Sequence, residues 1–249
     1  MSEAAPESES SPQPLYQRVV LKLSGEMMKG PSDFGLDRES VEYIASEIKS
    51  VHDAGVQVGV VIGGGNIFRG NSEAAKHMKR AVADHIGMLA TVINGLMIQD
   101  ELERQGVTTR TMTAIDMRNI AEAYIRRRAI RHMEKGRVVI FTAGTGNPFF
   151  TTDSAAALRA NEIDACAVLK GTKVDGIYTA DPKKFPDAEF LPSVTYNRAI
   201  HDNLGVMDAT ALALCRDNTM PIVVYDLTKP GNSVRVVTKG DVGTKVTKE

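Results

Sequence analysis

Cysteine is scarce, neither sign of charge is in excess, and no run of the 249 residues approaches the roughly 18 consecutive apolar residues of a membrane helix. Only Cys166 and Cys215 occur, both in apolar surroundings, so both are expected in the core and no disulfide framework is indicated. That suits a reducing cytoplasm. Lys and Arg total 30 against 31 Asp and Glu, a net charge of −1, which removes the basic footprint expected where nucleic acid is the main partner. The five histidines show no H-E-x-x-H or other ligand spacing, so no dedicated protein metal site is expected. Familiar phosphate-handling motifs are missing too: there is no G-x-x-x-x-G-K-[ST], no G-x-G-x-x-G after the first strand, and no kinase H-R-D or D-F-G. Residues 1–17 are rich in Ser, Pro, Glu and Ala. They lack the apolar stretch of a signal peptide and the Arg of a transit peptide, and read as a disordered tail.

What is present is an alternation of strands and helices. Short Val/Ile-rich runs at 18–23, 56–62, 138–142, 165–169 and 221–226 read as strands. Helical periodicity covers 36–54, 71–104, 118–135, 152–161 and 206–218, and 233–238 reads as a late edge strand. In the first helix Val41, Ile44, Ala45, Ile48 and Val51 fall on one face, with Asp37 as its cap and Gly55 as its stop. Continuous apolar strands predict a mostly parallel sheet covered on both faces, a three-layer α/β/α sandwich. No linker or internal repeat divides residues 18–249, which read as a single domain. The stretch 176–193, with Pro182, Pro186 and Pro192, reads as a functional loop.

Three glycine turns follow predicted strands: Ser24-Gly25, Gly63-Gly64-Gly65 and Gly144-Thr145-Gly146. Ligands of parallel α/β sheets collect outside the carboxyl ends of the strands, where free amides face an anion and glycine permits close approach. Any one such turn can be mere turn geometry; three together point to a site for several phosphates. Lys22 is the odd charge at the end of an apolar strand, either a phosphate ligand or an outward-facing lysine. Arg69, after the second turn, has a fork able to take two phosphate oxygens. Asp153 opens a helix, as a capping residue, a functional carboxylate, or both. The basic run Arg126-Arg127-Arg128 with Arg131, His132, Lys135 and Arg137 reads as a solvated face, with an anionic effector or subunit contact as the alternative. Met88, Met97 and Met112 read as core or interface filler.

Together, Lys22-Leu-Ser-Gly25, Gly63-Gly-Gly-Asn-Ile-Phe-Arg-Gly70, Asp84-His-Ile-Gly-Met-Leu-Ala-Thr91, the run from Ala143 to Asp153, and Thr172-Lys-Val-Asp-Gly176 resemble the bacterial uridylate kinases of the amino-acid kinase superfamily. The resemblance spans about residues 18–246. It implies an amino-acid kinase-like fold with an acceptor lobe over about 18–163 and an ATP lobe over about 164–249. It implies Lys22, Arg69 and Asp153 as catalytic residues. ATP would be contacted by Lys22, Leu23, Ser24, Gly25, Gly65 and Arg69, with Thr172, Tyr178 and Asp181 around its nucleoside. UMP would be held by Gly64, Asp84, Thr145, Gly146, Asn147, Pro148, Phe149, Phe150, Thr151 and Thr152. Phe149 and Phe150 are otherwise ordinary core residues. The same resemblance implies a homohexamer regulated by GTP and UTP, with Gly30, Pro31, Ser32, Asp33, Phe34, Gly35, Arg110 and Arg137 at effector-linked positions. Gln99 and Glu103 stand where some members are basic.

The implied reaction is ATP plus UMP giving ADP plus UDP, a step in pyrimidine nucleotide synthesis. The acceptor is a phosphate oxygen whose second pKa is near 6, so it is largely ionised at pH 7 and needs no strong base. Alignment and charge neutralisation would carry catalysis, and Mg²⁺ would arrive bound to ATP. A carboxylate- or carbamate-phosphorylating relative would leave Asp84 and the run 145–152 without a task. A non-catalytic nucleotide-binding protein on the same fold could dispense with Lys22 and Asp153.

Overall fold

The computed structural model describes residues 13–69, 76–180, 182 and 184–248. Its strands are β1 (Arg18–Leu23), β2 (Gln57–Ile62), β3 (Thr109–Thr113), β4 (Glu122–Ala123), β5 (Val138–Thr142), β6 (Ala167–Thr172), β7 (Ile177–Tyr178), β8 (Phe190–Leu191), β9 (Ser193–Thr195), β10 (Ile222–Asp226) and β11 (Thr244–Thr247). Its helices are α1 (Arg38–Asp53), α2 (Arg80–Arg104), α3 (Arg126–Glu134), α4 (Thr152–Glu162), α5 (Tyr196–His201), α6 (Ala209–Asp217) and α7 (Asn232–Thr238). Nine strands form one sheet in the order β4-β3-β5-β2-β1-β6-β10-β11-β9, and β7 and β8 form a separate ribbon. From β4 to β10 every pairing is parallel; β11 runs antiparallel to β10.

Alternation along each strand builds the two covered faces. Val19, Leu21 and Leu23 join Ile44, Ile48 and Val237 on the side of α1 and α7. Val20, Val61 and Val168 join Ala156, Ala160 and Leu212 on the side of α4 and α6. Lys22 shares the parity of Val20, so it points to the α4 side at the carboxyl end of the central strand. This is the three-layer sandwich expected from the sequence. Asp37 caps α1 through the Ser40 N–H at 2.9 Å, and Gly55 follows in the left-handed conformation (φ 84°).

Several local expectations fail for identifiable reasons. The expected strand at 233–238 is α7, because Glu47 of α1 accepts from the N–H groups of Gly231 (2.9 Å) and Ser233 (3.3 Å), and tertiary capping overrides the β-propensity of its valines. The expected helix at 118–135 survives only as α3. Residues Glu122 and Ala123 instead extend the sheet edge, and the Tyr124 ring packs edge-on against Phe141 at 5.6 Å. The long helix begins at Arg80 among the described residues; 70–75 lie outside them. By length and composition α2 is apolar enough to cross a membrane, contrary to the sequence reading; in the fold it packs on β3 and β5 beside α1. Cys166 is exposed, because it stands where the chain enters β6 after a left-handed Asp164 (φ 54°); Cys215 is buried as expected. Of the expected tail, 1–12 lie outside the described residues. Residues 13–17 are held on the fold, with the Leu15 N–H donating to Val237 O at 2.7 Å. Met97 is exposed, while Met88 and Met112 are buried.

The helix α2 approaches β5 closely at Gly95, where an added Cβ would stand 2.3 Å from Thr142 Cγ2. Gly95→Ala would gain up to about 1 kcal/mol of helix propensity. Overpacking against a sheet residue costs about 1–3 kcal/mol, so net destabilisation is expected as a lowered urea midpoint. A raised midpoint would show that α2 is free to move away from the sheet.

Candidate active site

The carboxyl ends of β1, β2, β5 and β6 meet at one edge, and three of them turn through glycine. Gly25 has no room for a side chain: a Cβ there would stand 2.4 Å from both Asn66 Oδ1 and Gly63 O. Gly64 lies under α2, where a Cβ would meet Ala90 Cβ at 2.7 Å. The second turn is held by a pair of buried amides that periodicity alone did not single out. Asn94 Nδ2 donates to Gly63 O (2.7 Å) and Asn66 Oδ1 (2.7 Å), while Asn66 Nδ2 donates to Asn94 Oδ1 (3.1 Å) and Gly35 O (2.9 Å). Four satisfied amide contacts fix the backbone of this turn.

At the centre stands Asp153, in the first turn of α4. Lys22 Nζ lies 2.7 Å from its Oδ1 and Lys170 Nζ 3.0 Å from its Oδ2, with all three side chains at most 16% exposed. Oδ1 accepts no well-directed hydrogen bond, so its tie to Lys22 is chiefly charge. The two lysines are register partners on adjacent parallel strands, which brings them together on the α4 side. Burial pushes the Asp153 carboxyl up, but Lys22 and Lys170 outweigh it and hold the pKa below the ordinary value. Burial pulls the Lys170 ammonium below its ordinary value, against the opposing pull of Asp153. The helix cap is not Asp153 but Thr151, whose Oγ1 accepts from the N–H groups of Asp153 (3.0 Å) and Ser154 (3.3 Å). Thr151 and Ser154 in turn bond to Asp208, the cap of α6, which ties the two helix starts together. Lys170 and Asp208 were missed by sequence reading. Lys170 carries the same signal as Lys22, a lone charge near the end of an apolar strand, but the expected strand stops at Leu169, three residues short of the end of β6.

One cavity of about 320 Å³ opens beside this cluster and brings together Gly64, Gly65, Arg69, Asp84, Thr145, Asn147, Phe150, Thr151 and Thr152. Arg80, also unforeseen, pairs with Asp84, its Nε 2.9 Å from each carboxylate oxygen. Asp84 Oδ2 also accepts from the Phe149 N–H at 2.8 Å, with Phe149 in the left-handed conformation (φ 73°). Phe149 and Phe150 are 68% and 48% exposed, which rules out the ordinary-core reading. The Arg80 guanidinium lies 5.9 Å from the centre of the Phe149 ring. Gly146 (φ 81°) faces Ala114, whose carbonyl oxygen would stand 3.0 Å from an added Cβ, so a side chain at this position would be strained. Leu23 is buried in the β1 end, and Pro148 sits in the turn before Phe149.

A second cavity of about 560 Å³ lies on the far side of Lys170 and holds Thr172 and Tyr178 with the 203–206 turn. Thr172 Oγ1 donates to Val174 O (2.7 Å), and the Tyr178 hydroxyl donates to Asp175 (2.9 Å). Asp181 lies outside the described residues. The remaining expected residues fall at opposite sheet ends. Gly30–Gly35 stays at the carboxyl edge, where Gly35 N–H donates to Asn66 O at 2.7 Å. Arg110 and Arg137 lie at the amino ends of β3 and β5, Arg110 Nη1 near the carbonyl of Thr109 (2.6 Å) and Arg137 Nη1 near His132 Nδ1 (2.9 Å). The basic run is largely paired: Arg126 with Asp164 (2.5 Å), Arg128 with Glu122 (3.5 Å) and Arg131 with Glu134 (3.3 Å). That fits a solvated face.

Asp153→Asn leaves two buried lysines without their counter-charge, which is expected to cost roughly 3–5 kcal/mol by urea unfolding at neutral pH. Because the folded pKa of Asp153 is depressed, its contribution is full above the unfolded value of 3.8 and is lost as pH falls through the folded value. Wild type and variant should therefore converge in stability once the pH has fallen below that depressed folded value. An equal difference at every pH would contradict the ion-pair account.

The amino acid kinase family model matches residues 17–226. A uridylate kinase of Dichelobacter nodosus is 56% identical over 95% of this chain and 98% of its own. A UMP kinase structure from Bacillus anthracis is 40% identical, covers 94% of this chain and 97% of that one, and superposes with a TM-score of 0.91. One from Ureaplasma parvum is 39% identical over 93% and 99%, with a TM-score of 0.87. With this cluster of lysines and glycine turns on a matching fold, the chain belongs to the amino acid kinase family and, within it, to the uridylate kinases.

Proposed function

We propose that the protein transfers the γ-phosphoryl group of ATP to UMP, giving ADP and UDP for pyrimidine nucleotide synthesis in the cytoplasm. The observation that carries this reading is the Lys22–Asp153–Lys170 cluster between two cavities. The cavity with Asp84 and the run 145–152 takes UMP, and the one with Thr172 and Tyr178 takes the ATP nucleoside, so the acceptor lobe is about 18–163 and the ATP lobe about 164–249. Lys22 and Lys170 offset charge on the phosphoryl group in transfer, and Asp153 orients both. Arg69 and the amides of Gly25, Gly64 and Gly65 hold phosphates. Asp84 accepts from the ribose hydroxyls, sharing or releasing Arg80. ATP enters as its Mg²⁺ complex, the ion travelling on the phosphates as part of the substrate.

The assembly reading is a homohexamer. The outward face of α2 supports a second copy as partner, since Val82, Leu89, Ile93 and Met97 are each 38–50% exposed along it. Light scattering that gives a monomer at working concentration would remove it. Activation by GTP and inhibition by UTP, through Arg110, Arg137 and the 30–35 segment, complete the reading, and a rate titration with each nucleotide tests them.

A coupled ADP-release assay with UMP, CMP, dUMP and carboxylate acceptors tests the reaction itself; turnover confined to a carboxylate would refute it. Lys22→Ala is expected to lower kcat by about 10²–10³-fold with little change in UMP binding. Asp84→Asn is expected to raise the KM for UMP by about 10–100-fold. If Asp84→Asn moved only the ATP constant, the two cavities would be exchanged.

A further inference from the structure

The acceptor cavity has an arginine that the rest of the structure already holds by one edge. Glu26 lies in the short 3-10 turn Gly25–Met27 directly after β1. Arg69 Nε stands 2.8 Å from Glu26 Oε1 and Arg69 Nη2 stands 2.5 Å from Glu26 Oε2, a side-on fork. Nε also donates to Gly65 O at 3.3 Å. This pairing occupies the Nε–Nη2 edge. A guanidinium has five N–H groups, so both hydrogens of Nη1 and the second hydrogen of Nη2 remain for another anion. Arg69 lines the acceptor cavity with its side chain 54% exposed, and among the described residues Glu26 and the Gly65 carbonyl are its polar partners.

The carboxylate is itself built in. Its turn is closed by the Met27 N–H to Ser24 O (3.1 Å) and the Met28 N–H to Gly25 O (2.8 Å). It lies over Gly65: a Cβ on that residue would stand 2.9 Å from Glu26 Oε1. The second glycine turn thus leaves space for the carboxylate of the first turn. The pairing also raises the Arg69 pKa above its ordinary value, so the cation persists at every working pH.

We infer that Glu26 is a positioning residue: it grips Arg69 by its Nε–Nη2 edge and leaves the opposite edge directed at a phosphate in the acceptor cavity. The inference rests on the reading of Arg69 as a phosphate ligand. A carboxylate beside a phosphate site repels the ligand, which is a cost unless the carboxylate fixes something the reaction needs. Fixing a long, exposed side chain meets that need, since misplacement by about 1 Å can cost about 100-fold in rate. A carboxylate that merely competed with phosphate for the same edge would instead be a latch, and the two roles have opposite signs on removal.

The experiment is a double-mutant cycle over wild type, Glu26→Ala, Arg69→Ala and the double variant, with kcat and the KM for UMP and ATP measured by ADP release. Unfolding midpoints of all four are measured alongside. Glu26→Ala is expected to lower kcat by about 10–100-fold with its midpoint close to wild type. In the Arg69→Ala background the same substitution is expected to change kcat less than about twofold, because its target is gone. Glu26→Gln, which keeps an acceptor oxygen, is expected to recover part of the loss. An undiminished kcat with a lowered KM for UMP would establish a latch and overturn the proposal. So would an equal loss in both backgrounds, which would mean that Glu26 acts without Arg69. Full activity of Arg69→Ala would also overturn it, while leaving UMP as the acceptor untouched.

Discussion

One carboxylate between two lysines sets the terms for this fold. Lys22 and Lys170 are register partners on adjacent parallel strands, on the same side of the sheet, and largely buried. Two like charges so placed are unstable without a counter-charge, and the N-terminus of α4 adds further positive potential at the same point. Asp153 answers all three, in contact with each lysine and in the first turn of that helix. Two ammonium groups and a helix end thus face one directly contacting carboxylate, with Asp208 at the start of α6 as a second negative charge near Lys170. A site of that balance is suited to a phosphoryl group that carries its charge on peripheral oxygens during transfer. Thr151, two residues before Asp153, fixes where the helix starts, since it caps α4 and bonds to Asp208 at the start of α6.

Much of this was legible in the sequence, because it rests on local signals. Continuous Val/Ile runs, glycine after strands, and a lone lysine at a strand end each have one dominant physical cause. What escaped was set by tertiary partners. The valines of α7 favour a strand locally, and only Glu47, brought from α1, supplies acceptors for the helix start. Asn94 looked like any polar residue in a long helix. Its importance lies in meeting Asn66, 28 residues away, under a glycine turn. Lys170 was within reach of sequence reasoning and was lost to a strand end placed at Leu169, three residues before β6 stops, boundaries being the least certain part of any such reading.

The glycine turns show why close approach, rather than flexibility, dictates residue type here. Gly25, Gly63 and Gly64 have negative or extended backbones available to other residues, yet side chains at Gly25 and Gly64 would collide with the neighbouring turn or with α2. The turns pack on each other before they face any ligand. Gly146 differs, because its φ of 81° is itself unfavourable for a side chain and Ala114 closes the space as well. Two separate constraints therefore produce the same residue at the same edge of the sheet.

The charged groups of the acceptor cavity are already matched within the chain: Asp84 with Arg80, and Arg69 with Glu26. On the proposed reading, a dianionic acceptor therefore does not enter a field of bare charges. It must compete for, or share, groups that are each satisfied. Pairs with one exposed partner, as Arg80 and Arg69 are here, contribute little to stability, about 1 kcal/mol or less. The buried Lys22–Asp153–Lys170 cluster is the opposite case, where loss of a partner is costly. The sheet runs unbroken through β1 and β6, which carry the two lysines, while the arginines stand on the segments around it. The costly charges are thereby fixed on the central strands and the less costly ones placed on the segments around them.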